Sequence, residues 1–325
     1  MGEGEAHNQE PQKGMMKPLR IHGLTKEYRT GFSRRSVMAL DHLNLEIEEG
    51  EVFGFLGHNG AGKTTAIKLL MGFVYPTAGE AWILDRSIRD VGVKQYIGFL
   101  PESPFFYEYL TAEEFLVFYG QLFGMGGSVL AKKIDELLEL VSMTDARHRL
   151  LRKFSKGMLQ RIGIAQALIN DPKLVILDEP MSGLDPIGRR DVRDIILRLK
   201  QEGKTIFFSS HILPDVEMIC DRVGILVKGR LKAVGTVQEI AGASSVTSIE
   251  LVVEGLSEAA LAGVGGQAAT LIRRGDQVLI KLDDEARVNG LLDQILKHKG
   301  RVVSLLPHKR SLEDLFLTES GMSRT

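Results

Sequence analysis

The chain has one cysteine, Cys220, among 325 residues. An internal disulfide is therefore excluded, and a reducing compartment is expected. No apolar run approaches the roughly 18 residues that a membrane-spanning helix needs. A membrane role would have to come through a partner. Charge of either sign is not in excess: 41 Lys and Arg stand against 42 Asp and Glu, a net charge of -1. That balance gives no electrostatic case for a nucleic-acid binder, and none is expected as a partner. The opening "MGEGEAHNQEPQKGMMKP" lacks the apolar core of a signal peptide and reads as a disordered tail over residues 1–18. What remains is ordinary globular composition, long enough for about two domains at ~150 residues each.

The pattern along the chain is α/β. "LRIHGLTKEY" and "MALDHLNLEIEEG" read as strands, the second alternating Leu43, Leu45 and Ile47. The basic "RTGFSRRSV" between them reads as a solvated turn. "EVFGFL" is a buried strand, and "GKTTAIKLLMG" a helix stopped by Gly72. The middle turns helical. Thr111 and Glu114 form a capping box before a helix with Phe115, Leu116, Tyr119, Leu122 and Phe123 on its apolar side. "SVLAKKIDELLELVSM" and "SKGMLQRIGIAQALIN" add two more helices, with Ser155 as N-cap of the latter. "KLVIL" leads to Asp178, "TIFFSS" leads to His211, and a hairpin turns at Lys228-Gly229. Small residues at 241–245 mark a boundary. Beyond it the pattern predicts strand 247–254, helix 257–264, a hairpin across "RRGDQ", helix 285–299, strand 301–306 and helix 311–319. The expected division is 19–242, with a helical insert over about 103–170, and a small α+β domain over 243–325.

"GHNGAGKTT", Gly57 to Thr65, fits the P-loop pattern G-x-x-x-x-G-K-[ST]. Its glycines let backbone N–H groups converge on phosphate oxygens without Cβ clashes. The helix that follows adds its positive end. Gly57, His58, Asn59, Gly60, Ala61, Gly62, Lys63, Thr64 and Thr65 are thus the expected ATP cradle. Lys63 would reach the β/γ-phosphates, and Thr64 would supply a hydroxyl to Mg²⁺. Asp178 suits Mg²⁺ coordination, and Glu179 suits activation of the attacking water. His211 ends a third strand at the same sheet edge, as a candidate γ-phosphate partner.

With these motifs in this order the chain resembles the ATP-binding subunits of ABC transporters. "FSKGMLQR" (154–161) resembles the LSGGQ signature, and "SGLD" (182–185) the D-loop. The resemblance covers about residues 19–242. It implies a P-loop NTPase fold and ATP hydrolysis. It also implies a head-to-tail dimer, with a second copy or a close relative, that sandwiches two ATP molecules. Ser155, Lys156, Gly157 and Asp185 would then serve the other subunit's nucleotide. Glu179 would be the catalytic carboxylate and His211 the switch residue. Tyr28 occupies the place of an adenine-stacking aromatic. Glu102 stands where the family usually has Gln, and it is a further candidate for the metal. The variant signature and the ending "SLEDLFL" (311–317) resemble exporters of drugs, antibiotics, lipids or polysaccharides. The implied partner is a separate permease, which would hold the chain at the cytoplasmic face of the membrane. The alternative is a soluble, non-transport ABC ATPase acting in assembly or regulation.

"LPESPFFYEYL", residues 100–110, carries four rings within five residues: Phe105, Phe106, Tyr107 and Tyr109. Its prolines argue against helix or central strand. Rings so concentrated are hard to bury on one side of a short loop, so exposed ones are expected. The resemblance implies that this region receives a helix of the permease, and Phe105, Phe106, Tyr107 and Tyr109 are all expected to help form that docking surface.

Overall fold

The computed structural model describes residues 17–29, 36–240, 246–257, 260–261 and 270–309. The chain divides into two compact units, 1–236 and 237–325. All but the last two residues of the expected N-terminal tail lie outside the described residues, as does the expected helix 311–319.

The first unit holds two sheets. One is antiparallel, in the order β2-β1-β4-β5: β1 (Leu19–Arg29), β2 (Ser36–Ile47), β4 (Ala78–Ile83) and β5 (Arg86–Ser87). The other runs β10-β9-β3-β8-β7-β6: β3 (Val52–Leu56), β6 (Ile97–Leu100), β7 (Leu174–Asp178), β8 (Thr205–Ser210), β9 (Arg222–Val227) and β10 (Arg230–Thr236). Its pairs are parallel, except the β9–β10 hairpin. Every residue of β3, β7 and β8 is buried. This is why these strands read as unbroken apolar runs rather than as alternation. The hairpin turns at Lys228 and Gly229, whose φ values of 48° and 79° match the twist of the strands it joins.

One core joins both sheets and helix α1 (Lys63–Leu70). Leu19, Leu43, Ile47, Phe53, Phe55, Ile67, Ile176 and Phe207 are completely buried in it. Each such side chain contributes about 1.5–3 kcal/mol relative to exposure. The core thereby holds the C-terminal ends of β3, β7 and β8 side by side. Leu56 is level with Ser210, and Asp178 with Ser209.

Between β6 and β7 lie three helices: α2 (Ala112–Leu122), α3 (Gly127–Leu140) and α4 (Lys156–Ala167). The Thr111–Glu114 capping box is formed in both directions. Phe115 and Leu116 are buried as expected, but Leu122 and Phe123 are exposed. α3 folds back onto α2 at Gly120, where Leu130 takes the space of a side chain. Two further helices, α5 (Pro186–Gln201) and α6 (Leu213–Ile219), follow β7 and β8.

The second unit begins with the short α7 (Val237–Ile240). Strands β11 (Val246–Glu254), β12 (Thr270–Arg274), β13 (Gln277–Leu282) and β14 (Arg301–Lys309) form an antiparallel sheet, in the order β12-β13-β11-β14. Helix α8 (Val288–Lys297) buries Leu291 and Ile295 in a core with Leu251, Val253, Ile280 and Leu282.

Candidate functional site: an ATP cleft at three strand ends

The loop after β3 is shaped by glycine. Gly60 and Gly62 have φ of 80° and 113°, a region that side chains disfavour, and a Cβ on Gly62 would run into the Ala39 carbonyl. Gly62 is the N-cap of α1 and offers no side-chain cap, and the first turn carries no acid. The orphan N–H groups of that turn are thus directed to whatever anion the cleft receives. The cleft has a volume of about 390 Å³. His58, Asn59, Gly60, Gly62, Lys63, Thr64, Thr65, Glu102 and Glu179 line it, together with Val37, Met38 and Ala39. Ala61 is buried, and its carbonyl accepts from Gly229 N–H at 2.8 Å. Gly57 donates its N–H to the Ser210 carbonyl at 3.3 Å.

A chain of polar contacts crosses the cleft floor. Lys63 Nζ donates to the Gly57 carbonyl at 2.5 Å and to that of His58 at 3.3 Å. It stands 3.0 Å from Glu179 Oε1. The other oxygen of Glu179 pairs with His211 Nδ1 at 2.8 Å. Lys63 and Glu179 are 5% and 6% exposed, so the pair is held away from solvent, where an unmatched charge is costly. Burial pushes the His58 imidazole pKa down, and the nearby Lys63 and His211 push it further down.

Asp178 is the last residue of β7 and is 2% exposed. Burial raises its carboxyl pKa; the Ser209 hydroxyl, donating at 2.6 Å, and the Thr64 hydroxyl oppose this, while Glu102 and Glu179 add to it. Thr64 Oγ1 is 3.5 Å from Asp178 Oδ1. Among the described residues no group of three His, Cys, Asp or Glu could hold a metal alone. The Thr64–Asp178 pair fits Mg²⁺, which takes one or two protein oxygens and completes its shell with phosphate and water.

Comparison with known proteins agrees with this geometry. The family model described as ABC transporter matches residues 40–182. An uncharacterised ABC transporter ATP-binding protein of Synechocystis is 44% identical over 299 residues, spanning 91% of this chain and 82% of the relative. The chain belongs to the ABC transporter ATP-binding proteins. It is an ATPase subunit. The bacitracin transport ATP-binding protein BcrA of Bacillus licheniformis is 44% identical, over 66% of this chain and 68% of its own. Among solved structures, the cassette MJ0796, in a dimer bound to ADP and Pi, superposes with a TM-score of 0.61 at 25% identity, over 67% of this chain and 98% of that one. No described helix of this ABC ATPase is long and apolar enough to cross a membrane.

The remaining expected site residues lie elsewhere. Ser155 caps α4, accepting from Met158 N–H at 3.3 Å. Lys156 reaches over Gly183 in the same chain, where its ammonium occupies the space of a side chain. Asp185 caps α5, accepting from Gly188 N–H at 2.7 Å. None of Ser155, Lys156, Gly157 and Asp185 lines the P-loop cleft of its own chain. Tyr28 does not line it either. Tyr28 sits across from Val37 in the β1–β2 register, with Lys26 Nζ 5.1 Å from its ring centroid. The apolar wall is formed by Val37 and Met38, which are 55% and 47% exposed. Neither residue belongs to a phosphate or metal motif in the sequence. Their signal was an apolar pair opening a strand next to a basic loop. Ser209 likewise carries no motif signal, although it touches the Asp178 carboxylate and the Glu179 backbone N–H.

Of the four clustered rings, Phe105 and Tyr109 are 77% and 71% exposed. Phe106 instead packs on Phe115, with ring centroids 5.4 Å apart. Tyr107 bridges the patch, 5.5 Å from Phe105, 6.0 Å from Tyr109 and 5.4 Å from Phe118.

Proposed function

We propose that this ABC ATPase binds MgATP in the cleft and closes head to tail with a second copy or a close relative, driving a separate permease in export. The observation that carries this is the linked set Lys63–Glu179–His211 on the P-loop floor, with contacts of 3.0 and 2.8 Å. A phosphate entering the cleft competes for the Lys63 ammonium and releases Glu179 to a water. His211 keeps the carboxylate aimed, and Thr64 with Asp178 would hold the Mg²⁺, which would neutralise phosphate charge there. Glu102 lines the same cleft, close enough to act electrostatically on Asp178, and would offer a further oxygen to the metal site. Val37 and Met38 offer apolar surface to the base, with Tyr28 beside them.

Ser155, Lys156, Gly157 and Asp185 serve the partner's nucleotide. Support comes from their position outside their own cleft and from the dimeric cassette that the fold matches. A transport role is supported by the bacitracin transport relative; export, and a place on the inner face of the membrane beside the permease, are part of the proposal. The test is ATP turnover by the chain with and without its membrane partner, co-purified in detergent. Turnover that no membrane protein affects, with none retained, would favour the non-transport alternative.

The exposed rings fit the receiving surface for that partner. Phe105→Ser with Tyr109→Ser is expected to cut partner recovery in a pull-down and leave ATP affinity of the isolated chain unchanged. Unchanged recovery from the folded variant sinks this assignment. The second unit carries none of the residues named for ATP. Truncation after Ala243 is accordingly expected to leave ATP affinity nearly unchanged by calorimetry, and a large loss would contradict this.

A further inference from the structure

Ser209 is completely buried at the end of β8, level with Asp178 across the parallel register. Its one hydroxyl is used twice. It donates to Asp178 Oδ1 at 2.6 Å and accepts from the Glu179 N–H at 2.9 Å. Glu179 has φ of 51°, a left-handed conformation that non-glycine residues adopt only when their surroundings impose it. The N–H that such a turn exposes is the one Ser209 receives. This turn redirects the chain at the end of β7 and aims the carboxylate at Lys63 and His211.

We propose that Ser209 is a positioning residue for hydrolysis: anchored on Asp178, it holds the turn that aims the Glu179 carboxylate. This rests on the reading of Glu179 as the group that acts on water. Alanine would remove both hydrogen bonds together and free Glu179 to leave the left-handed turn. The P-loop contacts of Lys63 do not involve Ser209 and would persist. The expected signature is thus a loss in kcat without a loss in ATP binding.

The experiment uses the full chain with Ser209→Ala, Glu179→Gln and the double variant. Steady-state turnover is measured over ATP concentration, and affinity is read with a fluorescent ATP analogue. Ser209→Ala should lower kcat roughly 10- to 100-fold, as the loss of a supporting hydrogen-bond partner commonly does, with affinity within about twofold of the parent. On the Glu179→Gln background it should lower kcat far less, because the group it positions is gone. Ser209→Ala turnover equal to the parent overturns the proposal. So does a loss of ATP affinity as large as the loss in kcat, which marks a merely structural role. Equal further loss on the Gln background overturns it as well. If Glu179→Gln itself turns over ATP at the parent rate, the reading of Glu179 has failed. A dead Glu179→Gln beside a fully active Ser209→Ala fails this inference alone.

Discussion

Glu179→Gln is expected to bind ATP as the parent does and to hydrolyse it roughly 10²- to 10⁴-fold more slowly, the range for loss of a positioned general base. Glutamine keeps the volume of the side chain and its acceptor toward Lys63, but it cannot take a proton from water. The left-handed backbone at 51° and the Ser209 contact are unaffected by a side-chain amide, so the site should keep its shape. With turnover blocked, bound ATP accumulates. Sizing chromatography of this variant with MgATP is then expected to show a dimer, and removal of nucleotide to return the monomer. Turnover at the parent rate would remove Glu179 from the mechanism. A strict monomer that still hydrolyses ATP would remove the composite site. Mixing Lys63→Ala with Ser155→Arg subunits provides a further check, since at most one intact site can form.

Lys63→Ala is the second large effect, and it has two parts that can be separated. Losing a charge-assisted contact to phosphate costs about 1.5–3 kcal/mol, or roughly 10- to 100-fold in ATP affinity. The same substitution strips Glu179 of its ammonium partner at 3.0 Å while leaving the carboxylate 6% exposed. The remaining His211 contact offsets part of that loss. The nucleotide-free protein is therefore also expected to lose roughly 1–3 kcal/mol, the cost of a buried polar group left under-satisfied. Lys63→Ala combined with Glu179→Gln should recover much of this stability in a thermal melt, yet none of the ATP affinity. Recovery of both would show that Lys63 acts only as the counter-ion of Glu179.

The features legible in the sequence were those written by near neighbours. The P-loop lies within residues 57–65 and depends on glycines at fixed offsets. The Thr111–Glu114 box closes over three residues. β3, β7 and β8 announce themselves as apolar runs because both their faces are covered. The strand-end placement of Asp178 and His211 followed from those runs. Tertiary structure decided whatever depends on which runs lie side by side. β8 next to β7 brings Ser209 to Asp178 and Glu179 over a separation of 30 or 31 residues, and no local pattern marks that serine among its neighbours. The β1–β2 register puts Val37 and Met38 on the cleft wall, while Tyr28, the more conspicuous residue, does not line it. Leu122 and Phe123 are exposed, against an amphipathic pattern that would bury them. The division among four adjacent rings, Phe106 packed on Phe115 and Phe105 and Tyr109 exposed, depends on the helix arriving from the far side of the loop. Periodicity over a few residues reports which face of an element is apolar; only the packed neighbours determine how much of that face is covered.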